Sequence, residues 1–260
     1  FDELTRVVVR SRSQGRPSAR VSVQRLLRLL STPNRLYYKY NLYTVLSIFC
    51  GRRSFYLPVM KLLYWLAILA GASYYSVADG PGPVTSGQLA WKGAGVGLLA
   101  LWAASRARSP PGHQIAWVLG LGALGDIILE GFGLVTGAVV FLAGHALAIR
   151  LYRANRLPGA SWARRSQALA LFLATPAVAW HLSRDAGVAA YSVGLGAMAG
   201  AAWLSRFPRV GMGALLFVLS DWAIFARMGP LAHSSLPNAL IWPLYFAGQA
   251  LIASGVVQSQ

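Results

Sequence analysis

The chain has 260 residues, of which 56% are hydrophobic and only 12% are charged. Soluble domains carry about a quarter charged residues, so this composition excludes a disordered chain and argues against an ordinary soluble enzyme. Its one cysteine, Cys50, excludes an intrachain disulfide and a thiolate metal cage. These features predict an integral, multi-pass membrane protein whose expected partner is membrane lipid.

The net charge of +17 divides between two parts of the chain. Residues 1–56 hold eleven Lys and Arg against two acids, and the remainder holds 13 against five. Most of the latter lie between apolar runs, where basic residues set membrane orientation and attract anionic lipid. We therefore expect no nucleic-acid partner. Residues 1–56 are expected to form a basic tail, poorly ordered or lying in the membrane interface, before a transmembrane domain at 57–260.

Eight apolar runs are long enough to cross a membrane, which takes about 20 helical residues. None shows the period-2 alternation of a β-barrel, and short connections rich in Pro and Gly separate them. Spans three and four are separated only by Gly131 to Gly133, which predicts a tight helical hairpin. The predicted fold is an all-α bundle with spans at 58–77, 88–105, 113–130, 132–152, 166–182, 187–204, 210–228 and 238–257.

Charge in alternate connections predicts the orientation of these spans. Loops 2–3, 4–5 and 6–7 carry nine arginines, whereas loops 1–2, 3–4, 5–6 and 7–8 carry only Arg184 and Arg227. Because basic residues accumulate in cytoplasmic loops, we expect both termini to be cytoplasmic.

Ionisable residues inside apolar runs are the informative ones, because burying such a group in lipid costs a few kcal/mol. Three acids qualify: Asp126 and Glu130 in span three, and Asp221 in span seven. One deep Asp is equally compatible with helix packing and with function, but two in one small bundle favour function. Glu130 lies at its span's end, where it can reach headgroup water.

Two basic side chains, those of Lys92 and His145, also lie inside the apolar runs. Lys92 enters near the outer end of span two, where it either pairs with one of the Asp residues or extends to the interface. His145 lies in span four, next to span three, and is interpreted as a proton carrier rather than a packing residue. The other histidines, His113, His181 and His233, are assigned no function.

Further polar residues are interpreted mainly as packing groups. Tyr245 and Gln249 lie four apart in span eight, and Tyr191 opens span six. Hydrogen bonds between helices are the favoured role for Gln249. Because the four histidines are scattered over both sides of the membrane, a zinc site is disfavoured, and neither a metal nor a cofactor is expected.

The blocks in four spans resemble one family. They are Gly125-Asp126-Ile-Ile-Leu129, then Gly137-x-x-x-Phe141-x-x-x-His145, Gly213-Ala-Leu-Leu-Phe217-Val-Leu-Ser220-Asp221, and Tyr245-Phe-Ala-Gly-Gln249. In this order and spacing they resemble the eight-span YhhN-type family, whose members include lysoplasmalogenases. The resemblance covers about residues 58–257. Two positions depart from the pattern: Ala148 stands where the family commonly has Tyr, and Trp222 where a small residue is usual.

The resemblance implies hydrolysis of the vinyl-ether bond of lysoplasmalogens to a fatty aldehyde and a glycerophospho-base. Protonation of the β-carbon needs one carboxylic acid, and a second carboxylate stabilises the oxocarbenium ion or activates water, by analogy with glycosidases. We expect Asp126 and Asp221 to form this catalytic pair in one shared chamber, with His145 relaying protons. The expected lysophospholipid-binding residues are Lys92, Glu130, Tyr191, Ser220, Tyr245 and Gln249.

Two other classes of protein stay open. A small proton-coupled transporter would use the deep Asp and His residues as ion sites with water access from both sides. A non-catalytic lysolipid-binding protein would account for the departures at Ala148 and Trp222. The oligomeric state, the headgroup preference and the identity of the acid within the Asp pair are left open.

Overall fold

The computed structural model describes residues 56–77 and 84–260. The basic tail predicted at residues 1–56 lies outside this part of the chain, except for its last residue. Nothing in the described residues bears on that prediction.

The described residues form eight α-helices and no β-strand. Each helix matches one predicted apolar run, and its ends differ from the predicted limits by four residues or fewer. The helices are α1 (Tyr56–Tyr74), α2 (Ser86–Arg106), α3 (Pro110–Phe132), α4 (Leu134–Ala154), α5 (Trp162–Ser183), α6 (Ala186–Trp203), α7 (Pro208–Met228) and α8 (Leu236–Val257).

Five of these helices, α3, α4, α6, α7 and α8, are long and apolar enough to cross a membrane. The all-helical fold is therefore confirmed for the described residues. The crossing of all eight helices, and the cytoplasmic location of both termini, stay predictions.

Local sequence explains where the helices begin. Thr85 caps α2, where its hydroxyl accepts the Gln88 amide and the Gln88 side chain accepts the Thr85 amide. Pro110 and Pro208, predicted to lie in connections, are instead the first residues of α3 and α7. The first helical residue needs no N–H donor, so proline is well suited to that position.

The predicted hairpin between α3 and α4 is confirmed, and Gly133 alone separates the two helices. Its φ of 98° lies in the left-handed region that favours glycine. Gly137, one turn into α4, packs directly on Leu129 of α3, where an added Cβ would lie 2.4 Å from the Leu129 Cβ. These two glycines therefore allow the chain to reverse within one residue and the helices to pack closely.

Six helices form a ring in the order α2, α3, α4, α6, α7 and α8. Helix α8 closes the ring because it packs against α2 and α3. Helix α1 packs outside α2, and α5 packs outside α6 and α7. Glycines permit the closest contacts: an added Cβ on Gly213 of α7 would lie 2.6 Å from the Gly248 carbonyl of α8. The same role is filled by Gly196 and Gly200, which meet α5 backbone, as expected for their four-residue spacing.

The bundle has two chemically different ends. One end holds the last residues of α1, the first residues of α2 and the α3–α4, α5–α6 and α7–α8 connections, and we call it the Gly133 end. The other holds the remaining connections and the C-terminus, and we call it the arginine end, because it carries nine arginines: Arg106, Arg108, Arg150, Arg153, Arg156, Arg164, Arg165, Arg206 and Arg209.

Candidate active site

A cavity of about 370 Å³ lies inside the ring, between its middle and the Gly133 end. All six ring helices line it, and most of the lining is apolar. Its polar side chains are those of Lys92, Asp126, Asp185, Tyr191, Ser220, Asp221 and Tyr245. The structure thus brings Asp126 and Asp221, from α3 and α7, to the same chamber.

The Asp126 carboxyl is held from α8. Tyr245 donates its phenol proton to Asp126 Oδ2 at 2.8 Å, and Gln249 Nε2 donates to the same phenol oxygen at 3.1 Å. Asp126 itself is only 4% exposed. The result is a directional chain of donors, from the Gln249 amide through the Tyr245 phenol to the Asp126 carboxyl.

The Asp221 carboxyl is held in the same way from α6 and α4. Tyr191 donates to Asp221 Oδ2 at 2.9 Å, and His145 Nε2 lies 3.2 Å from the Tyr191 phenol oxygen. A phenol has one proton to donate, and Tyr191 gives it to Asp221. His145 must therefore donate from Nε2, which makes a second chain from His145 through Tyr191 to Asp221.

Two phenylalanines lie between the chains. Phe217 contacts the His145 ring at a centroid distance of 5.5 Å and the Tyr245 ring at 5.2 Å. Phe141 meets Phe217 edge to face at 6.0 Å, and it fits against α3 because Gly125 there has no side chain. These rings fix the spacing of the two polar chains and form an apolar wall of the cavity.

Lys92 forms an ion pair with Glu130 and with neither Asp residue. The structure therefore shows neither of the two alternatives predicted for Lys92, a pair with an Asp or extension to the interface, because the α2 and α3 ends that bear Lys92 and Glu130 meet at the Gly133 end. Glu130 does not simply extend to headgroup water, since its carboxylate is bonded to this ammonium at 2.5 Å. Lys92 nevertheless lines the cavity on the same side as Asp126.

Three other predicted site residues take positions that sequence spacing did not reveal. The hydroxyl of Ser220 lines the cavity and donates to the Ile241 carbonyl at 2.9 Å, which joins α7 to α8. Gln249 was expected to bond a neighbouring helix, but its hydrogen bond stays within α8, because the Tyr245 phenol lies one turn away on the same face. His145 reaches Asp221 only through Tyr191.

Several lining residues were missed by sequence reasoning. Phe141 and Phe217 were quoted only as family positions, and Trp242, whose indole donates to the Gly71 carbonyl at 2.6 Å, was not singled out. Asp185 falls between the predicted spans 166–182 and 187–204, yet it caps α6 by accepting a hydrogen bond from the Val188 backbone amide at 2.9 Å and lines the cavity. Its position directly before an apolar helix was the available signal.

The departures from the family pattern lie close to this site. Trp222 packs between the main apolar core and a smaller cluster around Ala179, Val188 and Phe225. Its indole N–H is buried without a hydrogen-bond partner among the described residues. Within the same residues, no three His, Cys, Asp or Glu side chains are grouped so that they could hold a metal ion.

This arrangement of side chains is suited to acid–base chemistry on an apolar molecule. Two carboxyls line one apolar chamber, and each accepts one phenol donor that orients it. Such a site can accept an apolar molecule, protonate it from one carboxyl and stabilise a developing cation with the other. It resembles the pairing of acid and carboxylate in enzymes that cleave acetals, although on an unrelated fold.

Comparison with known protein families finds a match that spans the residues lining this cavity. The sequence profile of the YhhN family matches residues 87–256, which is well over half of the chain and includes every cavity-lining residue. No curated protein and no solved structure matches the chain.

Proposed function

The chain belongs to the YhhN family, which includes lysoplasmalogenases, and we propose that it is an integral membrane hydrolase that cleaves the vinyl-ether bond of lysoplasmalogens. The observation that carries this proposal is the shared cavity: Asp126 and Asp221 come from different helices and line one apolar chamber. The products are a fatty aldehyde and a glycerophospho-base.

The reaction proceeds in three balanced steps. A carboxylic acid of the pair gives its proton to the β-carbon of the vinyl ether, which leaves an oxocarbenium ion at the α-carbon and ether oxygen. Water adds to the α-carbon and loses a proton to the second carboxylate, giving a hemiacetal. The hemiacetal then breaks its bond to the glycerol oxygen, which takes up the hydroxyl proton as the aldehyde forms. The two aspartates supply the acid and the base that these steps require. The proton that the second aspartate gains must then return to the first, through water in the chamber, before the next turnover.

The surroundings of the pair suit this chemistry. The apolar lining accepts the alkenyl chain and excludes bulk water, which strengthens the interaction of a carboxylate with a nearby cation. Tyr191 and Tyr245 hold the carboxyls in fixed orientations, so little reorganisation is needed when charge develops. In this proposal Gln249 positions the Tyr245 phenol, and His145, which contacts the Tyr191 phenol, relays protons through it to and from Asp221.

Lys92 is the cation of the cavity lining and is proposed to face the phosphate of the lysophospholipid. Its pairing with Glu130 keeps the ammonium at the Gly133 end of the cavity. A lysolipid bound with its phosphate there would place its ether linkage deeper in the chamber, toward Asp126. Ser220 lines the same chamber and completes the proposed substrate contacts.

The test replaces each aspartate separately, Asp126→Asn and Asp221→Asn, in the full chain and measures aldehyde release from a lysoplasmalogen in detergent or nanodiscs. We expect both variants to fold and to lose nearly all turnover. Asp185→Asn is the matched control, because it makes the same change on the cavity rim and asparagine caps a helix as well as aspartate. Full turnover in either cavity variant removes that aspartate from the mechanism, and lysolipid binding without aldehyde release by the wild type makes the protein a binding protein.

We also propose that all eight helices cross the membrane and that both termini are cytoplasmic. Helices α1, α2 and α5 have 19, 21 and 22 residues, lengths that can span the hydrocarbon core. The arginine end would then face the cytoplasm. Reporter fusions after Gln260 and within the α5–α6 connection test this, and a periplasmic or lumenal signal at Gln260 contradicts it.

A further inference from the structure

A small void lies behind the active-site cavity, on the side toward the arginine end. Its volume is about 20 Å³. Phe141 and Phe217 line both the cavity and the void, so these two rings form the partition between them. Along α4, the residues Phe141, His145, Ala148 and Tyr152 follow one helix face, and all four line the void.

The void is bordered by polar side chains although most of its lining is apolar. His145 and Gln249, the outer members of the two donor chains, both line it. So does Tyr152, which is 1% exposed and whose hydroxyl has no hydrogen-bond partner among the described residues. A buried hydroxyl without a partner is rare and calls for an explanation such as a bound water.

The size and chemistry of the void fit one water molecule. A water needs about 10–15 Å³ of accessible space and two to four polar partners. The void provides the space, and three residues with polar side chains, Tyr152, His145 and Gln249, line it. A water there would give the Tyr152 hydroxyl its missing hydrogen bond.

Tyr152 also borders the outside. With Arg153 and Arg156 it lines a groove of about 400 Å³ at the arginine end. One face of α4 therefore passes three spaces in turn: the cavity, the void and the groove. The phenylalanine pair separates the first two, and Tyr152 separates the last two.

We propose that the void is a water site that supplies the hydrolytic water to the Asp126–Asp221 pair from the arginine end, with Tyr152 as the closing side chain. A separate entry is needed because the bound alkenyl chain fills the apolar cavity. The water crosses the partition when either phenylalanine ring turns, adds to the α-carbon and gives its proton to the carboxylate. Occupancy of the void is independent of the proposed function, whereas the supply role rests on it.

Met198 lines the void and is 2% exposed, which makes it a reporter of water there. X-ray radiolysis of the full chain in nanodiscs oxidises a buried methionine when a water molecule is adjacent to it, and rapid mixing with ¹⁸O-water shows whether that water exchanges. We expect ¹⁸O-labelled sulfoxide at Met198. An unlabelled Met198, at a dose that oxidises an added methionine peptide, overturns the proposal.

Two glycine variants provide the matched comparison. Gly144→Ala adds a methyl group at the void wall, where the nearest atom, Leu121 Cβ, lies at an ordinary 3.5 Å, so the helices can keep their packing. Gly120→Ala makes the same change in α3 where nothing lies within 4 Å. We expect Gly144→Ala to lose the Met198 label and to slow aldehyde release, and Gly120→Ala to retain both. Unchanged labelling in Gly144→Ala contradicts the site.

Tyr152→Phe tests the closing role with almost no change in shape. We expect faster ¹⁸O incorporation at Met198 in this variant, because the water loses its anchor, and an unchanged rate contradicts that role. The two proposals fail separately. If Met198 is labelled but no aldehyde is released, the water site is supported and the hydrolase function is contradicted. If aldehyde is released but Met198 is unlabelled, the hydrolase function is supported and the water site is contradicted.

Discussion

Tyr245 and Asp126 are joined across the α8–α3 interface by a 2.8 Å hydrogen bond in which the phenol is the donor. Tyr191 and Asp221 repeat this relationship at 2.9 Å across α6 and α7. In each case a third side chain donates to the phenol oxygen, so both carboxyls end a chain of aligned donors. The active-site proposal depends on this repeated arrangement.

Removing either phenol hydroxyl should impair catalysis, while the aromatic ring stays in place beside the cavity. Tyr245→Phe and Tyr191→Phe delete a hydrogen bond to a group that must carry charge, and such bonds contribute about 1.5–3 kcal/mol. We expect kcat/KM for a lysoplasmalogen to fall about 10- to 100-fold, which is the same free energy expressed as a rate. The value of kcat/KM is measured from the rate of aldehyde release at several substrate concentrations.

Tyr64→Phe is the control for this pair, because Tyr64 lies on α1, outside the cavity lining. It should retain wild-type turnover. Wild-type kcat/KM in both Tyr245→Phe and Tyr191→Phe would show that the phenols only pack the bundle.

The cavity itself can be closed from α4. Ala138 lines it, whereas its neighbour Val139 is 62% exposed and does not line it. Ala138→Trp places a large aromatic side chain, of a kind that buries about 150–250 Å², where the alkenyl chain is proposed to bind. We expect lysolipid binding and turnover to be lost. Val139→Trp adds the same side chain outside the site and should leave both intact, and binding that survives Ala138→Trp would place the substrate elsewhere.

Much of the fold follows from the sequence because apolar length and Pro or Gly interruptions act locally. The eight helices lie within a few residues of the predicted runs, and the separator from Gly131 to Gly133 predicts the hairpin because so short a connection leaves no other route. The two deep aspartates were recognisable for a similar reason, since a carboxyl in an apolar run is conspicuous wherever the helix finally packs.

The partners of those aspartates were not predictable, because they depend on which helices adjoin. Lys92 lies 38 residues before Glu130 in the sequence, and only the meeting of α2 and α3 pairs the two side chains. Likewise, helix order around the ring brings Tyr191 to Asp221, and nothing in the spacing of the chain indicates that α4 reaches α6. Tyr152 carries no local signal, since its importance comes from a void between helices.

The Lys92–Glu130 pair provides a separate prediction about stability and substrate affinity. Their side chains are 14% and 26% exposed, so the pair is partly shielded from water. We expect Lys92→Met and Glu130→Gln each to lower the unfolding temperature in detergent and the double variant to lose less than the sum, with a coupling of about 1 kcal/mol. If Lys92 binds phosphate, Lys92→Met also raises KM more than Glu130→Gln does.

If the losses in unfolding free energy of the two single variants add up to the loss in the double variant, the interaction between the two side chains contributes nothing to stability. Equal KM values in Lys92→Met and the wild type would show that the Lys92 ammonium does not contribute to substrate binding. Turnover number is the internal control, because neither side chain takes part in the proposed proton transfers.

The α3–α4 hairpin supports the last prediction, since a very close backbone approach next to the active site occurs there. A Cβ on Gly137 would lie 2.4 Å from Leu129 Cβ and 2.6 Å from Leu129 Cα, so Gly137→Ala must push the helices apart. Overpacking of this kind costs about 1–3 kcal/mol, and the displacement would carry Asp126, one turn from Leu129, away from Tyr245. We expect a lower unfolding temperature together with reduced turnover.

Gly120→Ala is the control in the same helix pair, because its added methyl meets nothing within 4 Å and alanine favours a helix over glycine. It should be neutral or slightly stabilising. Shortening the opposing side chain should not rescue Gly137→Ala: the Leu129 Cα and amide nitrogen also lie within 3 Å of the added Cβ, and backbone atoms persist in Leu129→Ala. A double variant, Gly137→Ala with Leu129→Ala, that recovers wild-type stability would therefore contradict the close backbone contact on which the position of Asp126 depends.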